Sequence, residues 1–326
     1  MLKIKKIDNL VKWNDCILQC KNYNVFSSFE WGEFKNNNWK VDRYAFYREN
    51  NLAGLIQILI KTKGAFTFGW SSSGILFTDE RFLSEIINSL SQIYNYNKSV
   101  LRFNFYNNND NELFLIDSFV KLRKVNKTIN SGYTIKFDKK NLSEFSIDKL
   151  SSNHRYYYKK SLSENLIFEY TDLNVDEFVL LHNSMTKIKN MSNLKTSKDE
   201  LIKLKNSFNS NIKMGRVTKN NKVLSSCIIL IFKKYALYYS AASNEEGRKK
   251  FASFLMVKNV IDKMKELNIN EFDFGGITPY RDDAKGVNRF KIGFGGKIVK
   301  CIGERNWTGS NLLNYIFNYI VSSKLN

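Results

Sequence analysis

Alternating apolar and polar positions predict a β-hairpin in each half of the chain. The first hairpin turns at Asn50-Asn51 and the second at Asn220-Asn221, and asparagine tolerates the positive φ of a tight turn better than other non-glycine residues. Each hairpin is followed by a short strand, by a segment with apolar residues at helical spacing, around Phe82–Tyr94 or Phe251–Leu267, and by another alternating strand. The same order of elements therefore recurs about 170 residues along the chain.

This recurrence predicts a duplicated fold of class α/β (α+β), with helices, an antiparallel meander, a helix and a further strand in each copy. We assign the first copy to residues 1–145 and the second, which carries the candidate chemistry, to residues 146–303. Two α+β domains that align only by chance are the alternative. Residues 304–326 are predicted to form a C-terminal helix that packs back on the first unit, because apolar residues surround most of its circumference and it is too short to cross a bilayer. Contact with a membrane surface is the alternative for this helix.

The composition is that of a folded protein with a strong positive charge. The 326 residues, 43% of them hydrophobic, supply a packed interior for about two domains. Lysine plus arginine outnumber aspartate plus glutamate by 51 to 31, which gives a formal net charge of +20. Such a field attracts polyanions, so binding of a nucleic acid or an anionic cofactor is one expectation and a basic solvated surface is the other.

The four cysteines, Cys16, Cys20, Cys227 and Cys301, include no C-x-x-C pair. Sparse, unpatterned cysteines are typical of a reducing compartment, and this set predicts no structural zinc site. The N-terminal MLKIKKIDNL is not followed by an apolar signal core, and no apolar run reaches the ~18 residues that span a bilayer. We therefore expect a cytoplasmic protein that holds no metal.

Two segments of the second copy are candidates for ligand binding. Six of the sixteen glycines lie between Gly275 and Gly296, together with the only proline, and glycine is needed where backbones approach closely or adopt positive φ. A ligand loop is one interpretation and the turns of an irregular sheet are the other. A helix predicted after Ser151 carries Arg155, lysines and three tyrosines. It is either a surface for phosphates and a stacked base or a basic solvated helix.

Four segments resemble the Fem family of peptidoglycan bridge aminoacyltransferases. That family's C-terminal signature, an acidic strand, two glycines, a gap and Phe-Lys-x-Gly-Phe-Gly, is similar to Asp273–Ile277 followed by Gly286–Gly296. Ala236–Ser243 resembles its tyrosine strand, and Ser28–Lys35 resembles its N-terminal Trp-x-x-x-Lys helix. The resemblance implies two tandem acetyltransferase-like (GNAT) units, each a mixed, mainly antiparallel sheet flanked by helices.

The same resemblance implies the reaction. Members of the family transfer an amino acid from aminoacyl-tRNA to an amine of a peptidoglycan precursor, and related branches modify other envelope glycans or use acyl-CoA. An acyl-CoA-dependent N-acyltransferase acting on an amino sugar of a surface polysaccharide is therefore the alternative function. A third hypothesis, a nucleic-acid-binding protein without catalysis, is motivated by the net charge of +20.

Three residues are candidates for catalysis. Lys291 is the first, because a cation beside a developing oxyanion contributes most in a dry site, and the resemblance points to the same Phe-Lys pair. Phe290 is expected to orient the acceptor or the tRNA terminus, or else to be a core aromatic. Asp273 is expected to assist proton removal, or else to anchor the Gly-Gly turn that follows it.

On the acceptor side, the Trp-x-x-x-Lys match nominates Trp31 and Lys35, the lysine as a phosphate contact for a nucleotide-linked or lipid-linked sugar. Tyr239 is expected to line the same cleft, and Arg155 is a further candidate. Lys189 stands where the family has an arginine, and a lysine keeps the charge but loses the bidentate fork.

On the donor side, we expect no cofactor, only a donor substrate. Acetyltransferases cradle the CoA pyrophosphate with glycines at a helix start, and Phe251 occupies the corresponding glycine position. That substitution favours a tRNA end over CoA, with Arg248, Lys249 and Lys250 as contacts for the RNA. We further expect a monomer that works in the cytoplasm, with peripheral contact at the inner face of the membrane as an option.

Overall fold

The computed structural model describes residues 2–325 except 107–112, 114, 115, 118, 120, 126 and 189–195. The strands are β1 (Lys3–Lys6), β2 (Lys40–Arg48), β3 (Asn51–Lys63), β4 (Phe66–Ser71), β5 (Ile75–Phe77), β6 (Ser99–Phe105), β7 (Leu122–Lys124), β8 (Tyr133–Asp138), β9 (Ile167–Asp172), β10 (Ile212–Lys219), β11 (Lys222–Phe232), β12 (Tyr235–Ser243), β13 (Glu271–Gly276), β14 (Lys297–Lys300) and β15 (Gly303–Trp307). The α-helices are α1 (Leu10–Ile17), α2 (Phe29–Lys35), α3 (Leu83–Ser89), α4 (Lys139–Ser143), α5 (Ser152–Leu162), α6 (Val175–Ile188), α7 (Lys198–Phe208), α8 (Glu245–Lys249), α9 (Ala252–Glu266), α10 (Lys285–Ile292) and α11 (Asn311–Leu325).

The chain divides into two compact units, residues 1–132 with 300–326 and residues 133–299. The first unit holds a sheet of order β1-β2-β3-β4-β6-β15-β7, with β5 paired to β3, and the second holds a sheet of order β9-β10-β11-β12-β13-β8-β14. Each sheet combines antiparallel hairpins with a parallel pair, which is β4–β6 in the first sheet and β12–β13 in the second. The predicted fold class of mixed, mainly antiparallel sheets flanked by helices is confirmed.

The two sheets exchange a strand. β8 follows the first unit in sequence but lies between β13 and β14 of the second sheet, and β15 follows the second unit but lies between β6 and β7 of the first sheet. The division therefore falls after Gly132 instead of after residue 145, because β8 makes its ladder with β13. Glu304–Trp307, assigned by sequence to the C-terminal helix, instead belongs to strand β15, because this segment makes ladders with β6 and β7.

The repeat is visible in the ladder register. Arg48 pairs with Asn51, so the first turn is Glu49-Asn50, one residue earlier than predicted, while Lys219 and Lys222 flank the predicted second turn. Both hairpins carry a bulge at the same distance from the turn, after Phe46 and after Val217.

The inner strands β6 and β13 hold equivalent places in the two sheets. Residue 102 pairs with Trp70 on β4, and residue 273 pairs with Leu237 on β12. Trp70 and Leu237 themselves pair with equivalent positions of β3 and β11. Arg102 and Asp273 are therefore the equivalent pair, so the predicted match of Phe103 with Phe272 lies on the right strands but is two residues out of register.

In each unit, a helix packs on the core with an apolar face of helical spacing. In the second unit, Val257, Val260, Ile261 and Met264 of α9 are buried against the sheet. In the first unit, Leu83, Ile86 and Ile87 of α3 are buried in the corresponding core. These contacts fix the sheet of each unit relative to its helix.

Helix α11 packs on the first unit. Leu313 and Phe317 are buried with Val100, and the Phe317 ring stacks on Phe68 at a centroid distance of 5.9 Å. The opposite side of the helix, which includes Tyr315, is exposed. Within the described ranges, none of the helices has both the length and the apolar character that crossing a membrane requires.

Candidate active site

The cleft of the second unit opens where β12 and β13 separate. The two strands pair only between Tyr235–Leu237 and Glu271–Asp273, and beyond this point lies a cleft of about 520 Å³. Its walls come from β12, from the start of α9 and from α10. The lining residues are Met185, Tyr238, Tyr239, Ser240, Ala241, Ala242, Ser243, Arg248, Ser253, Met256, Asp283, Gly286, Val287, Phe290 and Lys291.

A bulge in β12 shapes the floor of this cleft. Ile229 pairs with Tyr238 but Ile228 pairs with Ser240, so Tyr239 is an extra residue in the ladder. A bulge increases the local twist and redirects side chains, and both tyrosines line the cleft. Burial raises the pKa of Tyr239 to about 12, so this phenol is neutral at physiological pH.

Lys291 enters the cleft from the last turn of α10. Its Nζ donates to the carbonyl oxygen of Gly276 at 3.0 Å and lies 5.7 Å from the ring centroid of Phe274. Burial lowers the pKa of Lys291 to about 8, and the nearby Asp273 carboxylate opposes that shift. The side chain is thus a cation near neutral pH that titrates slightly above it.

Gly275 makes room for this ammonium. Its φ is +85°, and a Cβ built there would lie 3.0 Å from Lys291 Nζ and 3.2 Å from the carbonyl oxygen of Tyr238. A side chain would therefore be strained at this φ and would crowd the lysine. This position gives a physical reason for the Gly-Gly pair that the sequence analysis singled out.

Asp273 anchors the turn beneath Lys291. The carboxylate is fully buried and accepts hydrogen bonds from Thr134 Oγ1 at 2.5 Å, Tyr235 Oη at 2.9 Å and Gly275 N at 2.8 Å. Of the two roles considered for this acid, these bonds favour the anchor of the Gly-Gly turn.

Helix α10 is fastened at two points. In its middle, Asn288 and Thr278 exchange two hydrogen bonds of 3.1 and 2.9 Å. At its end, His154 Nε2 lies 2.8 Å from the Phe290 carbonyl oxygen and Nδ1 lies 2.8 Å from Ser151 Oγ. Since a carbonyl only accepts, Nε2 carries the proton, and burial lowers the pKa of His154.

His154 was not identified as a site residue from the sequence. The one sign of it in the sequence is a glycine at position 293, and the structure gives the reason for that glycine: a Cβ there would lie 2.1 to 2.4 Å from atoms of the His154 ring.

Phe290, a predicted site residue, lines the cleft and packs on Phe254 and Phe294 at centroid distances of 5.3 and 5.2 Å. It is therefore both a cleft wall and part of an aromatic cluster.

The three donor-side cations have different surroundings. Arg248 lines the cleft and donates to the Ser243 carbonyl at 2.9 Å. Lys249 forms an ion pair of 2.8 Å with Glu245 on its own helix. Lys250 forms one of 2.7 Å with Glu164. The structure thus brings only Arg248 of the three to the cleft wall.

The predicted acceptor residues other than Tyr239 do not line this cleft. Trp31 and Lys35 lie on α2 of the first unit, where Lys35 Nζ lies 5.1 Å from the Trp31 ring centroid. Arg155 donates to the Asp148 carbonyl at 3.0 Å, and Lys189 lies outside the described residues. Among the residues that the structure describes, no three His, Cys, Asp or Glu side chains are grouped so as to hold a metal ion.

The sequence profile of the FemAB family matches residues 149–321. A crystal structure of FemX is similar over 97% of this chain and 100% of its own, with a TM-score of 0.83 and 15% identity. The C-terminal domain of a putative lysylphosphatidylglycerol synthetase from Agrobacterium fabrum is similar over 96% of this chain and 97% of its own, with a TM-score of 0.59 and 11% identity. A tandem GNAT protein from the clavulanic acid biosynthesis pathway is similar over 94% of this chain and 98% of its own, with a TM-score of 0.56 and 8% identity.

No curated protein sequence matches the chain at a significant level. The structural likenesses cover nearly the whole chain and confirm the predicted tandem acetyltransferase-like architecture.

Proposed function

The chain belongs to the FemAB family and is an acyltransferase, and from this premise we propose that it moves an amino acid from aminoacyl-tRNA to an amine of a peptidoglycan precursor or a related cell-envelope glycan. The observation that carries the proposal is the placing of the Lys291 ammonium in a cleft between diverging strands, held 3.0 Å from the Gly276 carbonyl oxygen. The FemX likeness and the family match support it.

The reaction needs little beyond positioning and charge. The acceptor amine nitrogen attacks the ester carbonyl carbon, and the C–N bond forms as the carbonyl oxygen becomes an oxyanion. The C–O bond to the ribose then breaks, and the ribose oxygen takes up a proton as the amine loses one. The Lys291 ammonium stabilises the oxyanion, a contribution that is ~3–4 kcal/mol for one preorganised donor.

Three neighbours of Lys291 support its role. Asp273 favours the charged form of the lysine, Gly275 leaves room for the ammonium, and Phe290 forms the wall against which the acyl group or the acceptor lies. Arg248 contacts the phosphates of the RNA end at the far side of the cleft, with Lys249 and Lys250 on its flank.

An acyl-CoA-dependent N-acyltransferase acting on an amino sugar is the second candidate, and the likeness to a tandem GNAT protein favours it. Against it stands Phe251, whose ring occupies the start of α9 and stacks on Tyr157. A bulky ring at this point obstructs the backbone cradle that would receive a pyrophosphate.

For the acceptor, we propose that Trp31 and Lys35 bind the phosphate of a nucleotide-linked or lipid-linked sugar, with Lys189 and Arg155 as further contacts. Tyr239 orients the reacting amine from the cleft floor. We place the reaction in the cytoplasm, carried out by a monomer with peripheral contact at the inner face of the membrane. Co-sedimentation with anionic vesicles tests that contact, and size-exclusion chromatography with light scattering tests the monomer.

The deciding experiment is intact-mass analysis of candidate envelope precursors incubated with the protein and either charged tRNA or acyl-CoA. We expect a product heavier by one aminoacyl group with charged tRNA, and its loss in Lys291→Met. Product from acyl-CoA alone would overturn the tRNA donor and support the second candidate.

A further inference from the structure

Beside the cleft, three aromatic rings from α5 and the start of α9 form a surface that the transfer step does not use. Tyr157 and Phe251 are stacked at a centroid distance of 4.8 Å with an interplanar angle of 15°. Tyr156 packs edge-on against Tyr157 at 5.5 Å, and 54% of Tyr156 is exposed. Exposed tyrosine on a basic helix supplies a flat face for another π system.

Phe251 holds its place at a conformational cost. Its φ of 56° and ψ of 27° lie in the left-handed region, which a bulky residue rarely adopts. Such strain persists where the surroundings hold it, and it is concentrated at functional sites. Here the backbone conformation directs the ring onto Tyr157.

Cations surround the rings. Lys160 Nζ lies 4.8 Å from the ring centroid of Tyr156 and 6.0 Å from that of Phe251. Lys159 is exposed beside it on the same helix. The acidic group nearby, Glu164, is already paired with Lys219 and Lys250.

The surface is continuous with the cleft. Tyr157 contacts Phe254 at a centroid distance of 5.0 Å, and Phe254 contacts Phe290 at 5.3 Å. Phe290 lines the cleft next to Lys291, and Ser253 lines the same cleft two residues after Phe251. These contacts connect the three rings to the cleft wall beside Lys291.

We propose that Tyr156, Tyr157 and Phe251 form a stacking surface for the unpaired 3′-terminal bases of the donor RNA, with Lys159 and Lys160 on its phosphates. This inference rests on the proposed function, because it assumes an RNA donor. Base stacking on aromatic rings combined with lysines along the backbone is how proteins bind single-stranded nucleic acid without reading its sequence.

The test measures binding of a fluorescein-labelled RNA stem-loop with a single-stranded 3′-ACCA tail by fluorescence anisotropy at fixed salt. Tyr156→Leu should raise the Kd ~5- to 150-fold, the range expected for loss of one base–aromatic stack. Tyr156→Phe keeps the ring and should bind as the wild type does. Tyr315→Leu, an exposed tyrosine of α11 in the other unit, is the matched control and should have no effect.

Further readouts separate stacking from charge. A blunt stem-loop without the tail should bind the wild type and Tyr156→Leu equally weakly, whereas Lys159→Gln with Lys160→Gln should lower the salt slope for the tailed RNA by ~0.7 for each phosphate that the protein no longer neutralises. In transfer assays, Tyr156→Leu should raise the KM for charged tRNA and leave kcat unchanged. Melting curves of each variant establish that the fold is retained.

Two outcomes overturn the inference in distinguishable ways. If the wild type transfers from charged tRNA and Tyr156→Leu keeps its Kd and KM, the stacking surface is wrong while the proposed function stands. If the wild type transfers only from acyl-CoA, the proposed function fails and the stacking surface fails with it.

Discussion

At the scale of single residues, two opposing effects set the pKa of Lys291. Burial disfavours its charge, while Asp273 and the Gly276 carbonyl favour it, and the balance leaves the pKa of this lysine at about 8. A pKa near the working pH is typical of residues that act chemically. The predictions at this scale separate that chemical role from a role in folding.

Replacing Lys291 by Met keeps most of the apolar stem and removes the charge. Single-turnover transfer should slow by ~10²–10³, the cost of losing one preorganised oxyanion donor, while the melting temperature stays the same or rises, because a partly desolvated charge is removed. Lys285→Met on the same helix removes an exposed cation paired with Asp282 and serves as the control. A stable Lys291→Met protein with near-normal transfer removes this residue from the mechanism.

The pH dependence of transfer should show the same group. If the ammonium is the active form, the rate falls as pH rises through about 8, following the rising limb set by deprotonation of the acceptor amine. Lys291→Arg should transfer more slowly but lose the falling limb, since arginine stays charged above pH 12. A rate that only rises through pH 8 would assign Lys291 the role of a base.

Stability should respond to pH in the opposite sense. Because the folded pKa of Lys291 is depressed below 10.5, the unfolded chain binds more protons between about pH 8 and 10.5, so the contribution of this residue to stability rises with pH over that window. Denaturant titrations at pH 8 and 10 should show a smaller gain for Lys291→Met than for the wild type. Equal gains would mean that the lysine is not desolvated.

Gly275→Ala should damage activity more than stability. The new Cβ would lie 3.0 Å from Lys291 Nζ at a φ of +85°, so the lysine must move, and an L-residue in this backbone region costs ~1–2 kcal/mol. Gly64→Ala shares the positive φ with nothing within 4 Å, and it should lose similar stability with unchanged transfer. Equal activity of the two variants, measured by kcat beside a melting curve, would contradict the close-approach argument.

At the scale of elements, the sequence predicted which segments form and the structure added how they are fastened. The hairpins, the α9 face and the position of Lys291 follow from periodicity and from a motif. Asp273 could be located but its role could not be decided, because the partners that fix it, Thr134 and Tyr235, are distant in sequence. The sequence analysis assigned most of β15 to the C-terminal helix and the β8 segment to the first unit, because the partners of both strands are distant in sequence, so the exchange between the sheets was missed.

Helix α10 should depend on His154 for its position. His154→Ala removes the donor to the Phe290 carbonyl and leaves a buried acceptor unpaired, which costs ~1–3 kcal/mol, and it should lower kcat by releasing Lys291 from its place. His154→Gln restores an N–H donor and should recover part of both losses. If kcat is normal in a folded His154→Ala protein, the histidine only stabilises the unit.

The depressed pKa of His154 adds a pH signature. Because burial lowers this pKa below 6.5, the stability that the neutral ring contributes is present above pH 6.5 and is lost as pH falls through the folded value. Melting temperatures measured from pH 7 to pH 5 should therefore fall more for the wild type than for His154→Gln. Parallel declines would show that the ring is not held neutral.

At the scale of the whole molecule, equivalent positions in the two copies of the repeat have different structural roles. Asp273 supports the cleft in the second unit, while the equivalent Arg102 in the first is fully buried and bonds Glu304 at 3.3 Å and Asn306 at 2.8 Å. Both partners stand on β15. The first unit thus uses the position to hold the exchanged strand, whereas the second uses it to anchor the turn beneath Lys291.

Arg102→Met should therefore destabilise the first unit by ~3–5 kcal/mol, because it leaves the carboxylate of Glu304 buried without its countercharge. The residual bonds of that carboxylate to the N–H groups of Ile129 and Asn130, 2.7 and 2.8 Å, keep the chain foldable. Adding Glu304→Gln should recover part of the loss, so the double variant is more stable than the sum of the two single changes implies.

Arg48→Met breaks an exposed ion pair with Glu85 of 3.2 Å and should cost less than ~1 kcal/mol, which makes it the matched control for guanidinium loss at the surface. Denaturant unfolding of the four proteins and the control gives the coupling energy directly. If Arg102→Met costs no more than Arg48→Met, the buried pair does not hold β15 in the sheet, and the exchanged strand is then retained by its ladders with β6 and β7 and by the buried Trp307 ring.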